Sequence, residues 1–308
     1  MKLSQKLMFP VVCCYTQLSL MILTNIKTLF LVDAASWGNA YPNAIVNCPD
    51  LVGKDDRLLE HGLDKIPLDV LRDDTVRIVL DILDEISVLF PSKHIHLGGD
   101  EVDKECWLHS VLVRNFKNKH GRNWHKALHS KFLMNTANHL ASQHGKNIIL
   151  WDEALDLPAL PANTKIQVWR WWLKGQFRRA HRKKFESISS VGYYLDYLNT
   201  NWQDMYDRTI SPHATGGEAC SWHEHADTAT IEHRIFQRLP VVAERLWGNA
   251  KLNKNERTLP RLAWGICRLK KLRGLRVASV FPDYCPVTPA TGQGYTMEKD
   301  SMVFEVNQ

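Results

Sequence analysis

From Asp69 to Phe90 the apolar residues Val76, Val79, Leu83, Ile86 and Phe90 recur at steps of three and four. That spacing predicts an amphipathic helix with one buried stripe. Residues at about 125–144, 228–247 and 255–273 also read as helical segments. Between these segments lie short apolar runs at 94–99, 147–151, 165–169, 187–191 and 216–220, with another at 29–33. They are too short for helices and are bounded by Gly, Pro or charged residues, so they read as strands. Strands alternating with helices predict a parallel sheet with crossover helices. About six strands are legible, where a closed (β/α)8 barrel of the TIM type needs eight. The expectation is an α/β barrel that lacks its first strands at the N-terminus, running over residues 29–308.

Composition narrows the partners. With 308 residues, 44% of them hydrophobic and 23% charged, the chain has the make-up of a globular domain with a full core. The net charge of +6 is spread along the sequence, with a denser run from Arg178 to Lys184. No nucleic-acid recognition motif accompanies that run, which reads as a solvated helix face. No nucleic-acid partner is expected. Residues 1–28 fit the pattern poorly: Lys2 and Lys6 precede an uncharged stretch from Leu7 to Ile26, broken by Pro10, Gln17 and Ser19. A signal segment, a marginal membrane anchor and sequence foreign to the domain all fit, and membrane contact is expected only if it is an anchor.

Chemistry concentrates in His94-Ile-His-Leu-Gly-Gly-Asp-Glu101. A strand there runs into two glycines and then two adjacent carboxylates, at the strand end where barrels hold their reactive groups. Neighbouring carboxylates are badly spaced to straddle a glycosidic bond, which ordinary glycosidases do across about 5–9.5 Å. Asp100 and Glu101 suit one face of a sugar whose own 2-acetamido oxygen attacks the anomeric carbon, one acid donating a proton and the other holding the acetamido group. Trp151 and Trp169 each end a strand, and Trp222 follows another closely. Their faces suit the C–H surfaces of a pyranose. Tyr194 and Asp196 follow the strand at 187–191, and Glu224 lies between His223 and His225. The pairs His94/His96 and His223/His225 allow a rival reading as a metallohydrolase, but no bridging Lys or further ligand series accompanies them. No metal and no cofactor is expected, and His96 reads as a structural hydrogen-bonding group under the carboxylate loop.

The run from Phe90 to Trp107 resembles the signature of glycoside hydrolase family 20, the β-N-acetylhexosaminidases, and in particular the lysosomal animal enzymes. Further matches follow in family order: Ile149-Leu-Trp-Asp-Glu153, Ile166-Gln-Val-Trp-Arg170, Tyr194-Leu-Asp196, the segment from Gly216 to Glu224, and Ala243-Glu-Arg-Leu-Trp247. The resemblance covers about residues 30–290, and such an ordered series is far more specific than any one motif. It implies retaining, substrate-assisted removal of terminal β-linked N-acetylhexosamine from glycans. Glu101 would be the acid and then the base. Asp100 and Tyr194 would orient the acetamido group. Trp151 and Trp169 would cage its methyl, Trp222 would underlie the ring, and Asp196 and Glu224 would bind hydroxyls or the aglycone. It also implies the disulfides Cys48–Cys106 and Cys267–Cys285, with Cys220 left as a buried thiol, and hence a lysosomal or secreted protein, although no Asn-x-Ser/Thr sequon is present. A homodimer is compatible with it. The family ends its third strand in Asp-Thr-Pro-Gly-His, where this chain has Asp33-Ala-Ala-Ser-Trp37, and the family's first Arg-bearing strand is not visible. The alternative expectation is therefore a truncated remnant that binds sugar without turnover.

Overall fold

A computed structural model describes residues 11–14, 22–23, 34–48, 66–222, 226–248, 258–280 and 285. Five parallel strands form its centre: β3 (His94–His96), β4 (Asn147–Trp151), β5 (Lys165–Val168), β6 (Glu186–Ser189) and β7 (Gly216–Glu218), paired in that order. Two strands from the N-terminal segment, β1 (Val11–Cys14) and β2 (Ile22–Leu23), extend the sheet antiparallel beyond β7. β1 covers the β7 edge, with Cys13 opposite Glu218 and Cys14 opposite Gly217. The strand expected at 29–33 lies outside the described residues. The parallel strands and their helices form a partial barrel of the α/β class.

Helices connect the strands: α1 (Asp73–Leu89), α2 (Lys104–Trp107), α3 (Val111–His120), α4 (Trp124–His144), α5 (Gln176–Arg182), α6 (Trp202–Asp207), α7 (Ile231–Trp247) and α8 (Thr258–Arg273). The basic run at 178–184 lies on α5 and the turn after it, with Arg178 and residues 181–184 exposed. α1 begins at Asp73, four residues after the expected start at Asp69. The Asp69 N–H is committed to the Ala44 carbonyl and its carboxylate accepts from Ser110, so the helix starts where Asp73 and Asp74 complement its N-terminal dipole. Its most buried row is Thr75, Val79, Leu83 and Ser87, with Val76, Ile86 and Phe90 flanking it.

Strand alternation sorts the two faces of the sheet. Ile95, Leu97, Ile148, Leu150, Ile166 and Val168 join one apolar cluster with α1 and α4 residues such as Leu83, Leu133 and Leu140. A second cluster, built by Val241, Val242, Leu246, Leu262 and Ile266, packs α7 against α8. The opposite sheet face carries His96, Trp151 and Gln167, all buried. Polar groups on that inner face are satisfied only in part: Gln167 Nε2 reaches Ser190 Oγ at 3.3 Å and Cys220 Sγ at 3.8 Å, while His96 Nε2, Trp151 Nε1 and Gln167 Oε1 have no partner among the described residues. Trp37 is buried in the first apolar cluster. Both expected disulfides form, with Cα–Cα distances of 5.5 Å for Cys48–Cys106 and 5.4 Å for Cys267–Cys285.

Candidate functional site

The loop after β3 is shaped by backbone conformations that few residues adopt. Leu97 and Gly98 continue the pairing with β4, donating to and accepting from it at 2.9 and 3.0 Å. The chain then turns through φ values of 73° at Gly98 and 90° at Gly99. The angle at Gly99 favours glycine, and a Cβ there would also crowd His129 Nε2 at 3.3 Å. Glu101 also has a positive φ, 43°, which costs an L-residue free energy that the surroundings must supply. They do so from both sides. The Gly98 N–H donates to His96 Nδ1 at 3.0 Å, the structural role expected for that histidine. Downstream, Asp103 caps α2 by accepting from Glu105 and Cys106 N–H groups at 2.8 and 3.2 Å. The Cys48–Cys106 disulfide and the bond from Trp107 Nε1 to the Leu68 carbonyl pin α2 in turn.

This bend separates the two carboxylates. Asp100 is half-buried and turned inward, where its charge raises the proton affinities of both Glu153 and Tyr194. Glu101 is exposed. Glu101, read from the sequence as a site acid at this strand end, thus stands on the solvent side of the loop while Asp100 is half-buried.

The aromatic residues lie close together. Trp151, fully buried at the end of β4, lies 6.4 Å from Trp169, 5.8 Å from Trp222 and 4.7 Å from His96, between ring centroids. Tyr194 bridges in parallel to Cys220 past the ends of β6 and β7, and stacks on Tyr197 at 4.8 Å. Burial holds its hydroxyl protonated far above the usual range, reinforced by Cys220, Tyr197 and Asp100, while a hydrogen bond with Trp222 works the other way. Asp196 is wholly buried, and its Oδ2 accepts the Trp222 N–H at 2.8 Å. It therefore fixes the third tryptophan, and its Oδ1 has no partner among the described residues. Glu224 lies outside the described residues, as do His223 and His225.

Glu153 was not singled out from the sequence, although it forms with Asp152 a second Asp-Glu pair at a strand end. Trp169 Nε1 donates to both Glu153 oxygens at 3.1 and 3.2 Å, and the Trp169 N–H donates to Asp152 Oδ1 at 3.3 Å. Asp152 Oδ2 takes Arg170 Nε at 3.0 Å and Gln176 Nε2 at 2.7 Å. Burial, with Asp152 beside it, pushes the Glu153 carboxyl up to about 8, against the opposing pull of Arg170 and Trp169. The result is a rigid bracket behind one tryptophan. A separate cavity of about 460 Å³, lined by residues including Asn201, Trp202 and Arg238, holds none of these groups.

Carboxylates, three tryptophans and a tyrosine are gathered at the C-terminal ends of consecutive parallel strands, where α/β barrels hold their functional groups. The sequence matches the family model for the catalytic domain of glycosyl hydrolase family 20 over residues 33–213 and 199–250, and the chain belongs to that family. Beta-hexosaminidase 3 of Arabidopsis thaliana is 33% identical over 260 residues, covering 80% of this chain and 45% of that protein. Beta-hexosaminidase subunit alpha of Mus musculus is 32% identical over 217 residues, covering 65% of this chain and 41% of its own. Among solved structures, a Flavobacterium johnsoniae chitobiase superimposes with a TM-score of 0.64 at 25% identity, over 79% of this chain and 38% of that one. The chain thus spans less than half the length of the curated relatives it matches.

Proposed function

We propose that the site removes terminal, non-reducing β-linked N-acetylhexosamine residues from glycans, with the sugar's acetamido oxygen as nucleophile and retention at the anomeric carbon. The convergence of the Asp100–Glu101 loop with Trp151, Trp169, Trp222 and Tyr194 carries this reading. Glu101 protonates the leaving oxygen and then activates water from the same face. Asp100 accepts the acetamido N–H as positive charge develops on that group, and the Tyr194 hydroxyl donates to the acetamido oxygen. Trp151 and Trp169 enclose the acetamido methyl, Trp222 lies beneath the ring, and the remaining lone pairs of Asp196 accept from a hydroxyl. Glu224 is assigned by motif alone to hydroxyls at the far side of the ring. The two disulfides support a lysosomal or secreted setting, and among the described residues no helix is long and apolar enough to cross a membrane.

One observation favours a second reading, a sugar-binding domain without turnover: Glu101 stands exposed, where a general acid needs a low-dielectric surround. Hydrolysis of a chromogenic N-acetyl-β-glucosaminide by the folded chain, beside Glu101→Gln and Asp100→Asn, decides between them. Turnover lost in both variants supports the enzyme. A folded, inactive wild type that still binds N-acetylglucosamine supports the binding domain.

A further inference from the structure

The other end of the sheet carries a cluster for which the sugar site has no use. Asp84 lies near the C-terminus of α1, and His139 and His144 lie in the final turns of α4. Both imidazoles direct Nε2 at the same carboxylate oxygen, Asp84 Oδ1, at 2.6 and 2.7 Å. One ligand atom from each of the three residues falls within 4.8 Å of the others. The side chains are 42%, 23% and 19% exposed for Asp84, His139 and His144, so solvent reaches a cluster whose backbone is fixed on two packed helices. α1 and α4 precede neighbouring parallel strands, so their C-termini point the same way. The negative ends of two helix dipoles meet beside the cluster, and both favour positive charge. That end already attracts one cation: Lys146 Nζ donates to the Phe90 and Ser92 carbonyls at 2.7 and 2.6 Å.

We propose that Asp84, His139 and His144 bind a single divalent transition-metal ion of the zinc type. Two imidazole nitrogens and one carboxylate oxygen suit zinc, copper, nickel or cobalt, and disfavour magnesium and calcium, which take oxygen ligands. Tetrahedral ligands at about 2.0–2.2 Å from zinc stand ~3.3 Å apart. The present nitrogen–oxygen separations therefore widen by roughly 0.6 Å, a change within the reach of side-chain rotation. Each neutral imidazole then carries its proton on Nδ1 and offers the Nε2 lone pair, and the fourth position faces solvent. The ion would tie α1 to α4 beneath the first strand pair, far from the carboxylate loop.

The test uses the whole chain, stripped with chelator, and needs no turnover, so it stands or falls apart from the glycosidase reading. Cobalt(II) is expected to bind one-to-one with visible d–d absorption and no sulfur charge-transfer band, and to be displaced by zinc. Zinc should raise the thermal midpoint, and magnesium should not. Because the chain has 14 histidines, the variants carry the assignment. His144→Gln and Asp84→Asn, each checked for native circular dichroism, should weaken zinc binding about tenfold or more. Absence of zinc and cobalt binding, a midpoint raised equally by magnesium, or affinity undiminished in a His139→Gln/His144→Gln double variant would each overturn the proposal and leave a hydrogen-bonded clasp.

Discussion

The two ends of the five parallel strands obey different rules. At the N-terminal ends, charges are paired or absorbed: Lys146 is taken up by two carbonyls, Lys165 pairs with Glu186 at 2.7 Å, and Asp84 sits between two histidines. At the C-terminal ends, Glu101 and Gly99 hold positive φ, Trp151 Nε1 and Asp196 Oδ1 are buried without partners among the described residues, and Glu153 is pushed up to about 8. The same sheet supports both ends. Positive φ and unpartnered polar atoms occur at both ends, at Lys184 and His94 Nδ1 as well, so the difference lies in what is gathered: paired charges at one end, and tryptophans with a carboxyl held up by burial at the other, where barrels keep their functional groups.

Glu101→Gln breaks this contrast most sharply. Cleavage of poor leaving groups should fall by about 10²–10⁴-fold, with stability within about 0.5 kcal/mol of wild type because the residue is exposed. Steady-state rates and urea unfolding report the two halves of that expectation; full activity would remove Glu101 from its role. Leu83→Ala, beneath the scaffold side, should do the reverse. A wholly buried leucine is lost, so unfolding free energy should drop by about 2–5 kcal/mol, while any sugar binding by the folded fraction persists.

Acidity gives an intermediate effect with a definite sign. Burial holds His96 at about 3 and His129 at about 4, below an unfolded value near 6.5. The stability they confer is complete above pH 6.5 and is lost as pH falls through that window, because the unfolded chain takes up protons that the native one refuses. Glu153 acts oppositely. Its native value of about 8 exceeds the ordinary 4.5, so the native state holds the extra proton and stability declines as pH rises between the two. Two histidines outweigh one glutamate on the acid side, so these three groups place maximal stability near pH 6.5, to be read from denaturation midpoints between pH 4 and 9. His129→Leu should flatten the acid limb and Glu153→Gln the alkaline one; unchanged slopes in both would refute the assignment of those limbs. Asp103→Ala, which removes the α2 cap, should cost only about 1 kcal/mol. Its sharper readout is a raised KM, since the cap anchors the carboxylate loop.

Much of the fold was legible because helical and strand periods are local. The strands at 147–151, 165–169, 187–191 and 216–220 appear within a few residues of their expected bounds, as do α4, α7 and α8. The start of α1 was misjudged because Asp69 answers to Ala44 and Ser110, groups 25 and 41 residues away in sequence. The tryptophans were legible because each ends a strand or follows one closely. Glu153 escaped notice because its environment depends on Trp169 and Arg170, supplied by the next strand.

The sequence by itself determined the alternation of strands and helices, the family, and which side chains stand at which strand ends, since all of these follow from short-range period and motif. Only the tertiary structure decided what each carboxylate became. Asp100 turns inward, Glu101 faces water, Glu153 gains a proton behind Trp169, and Asp196 is spent partly on the Trp222 backbone. Protonation and direction depend on burial and on charges brought from distant parts of the chain, and those distances exist only once the sheet has formed.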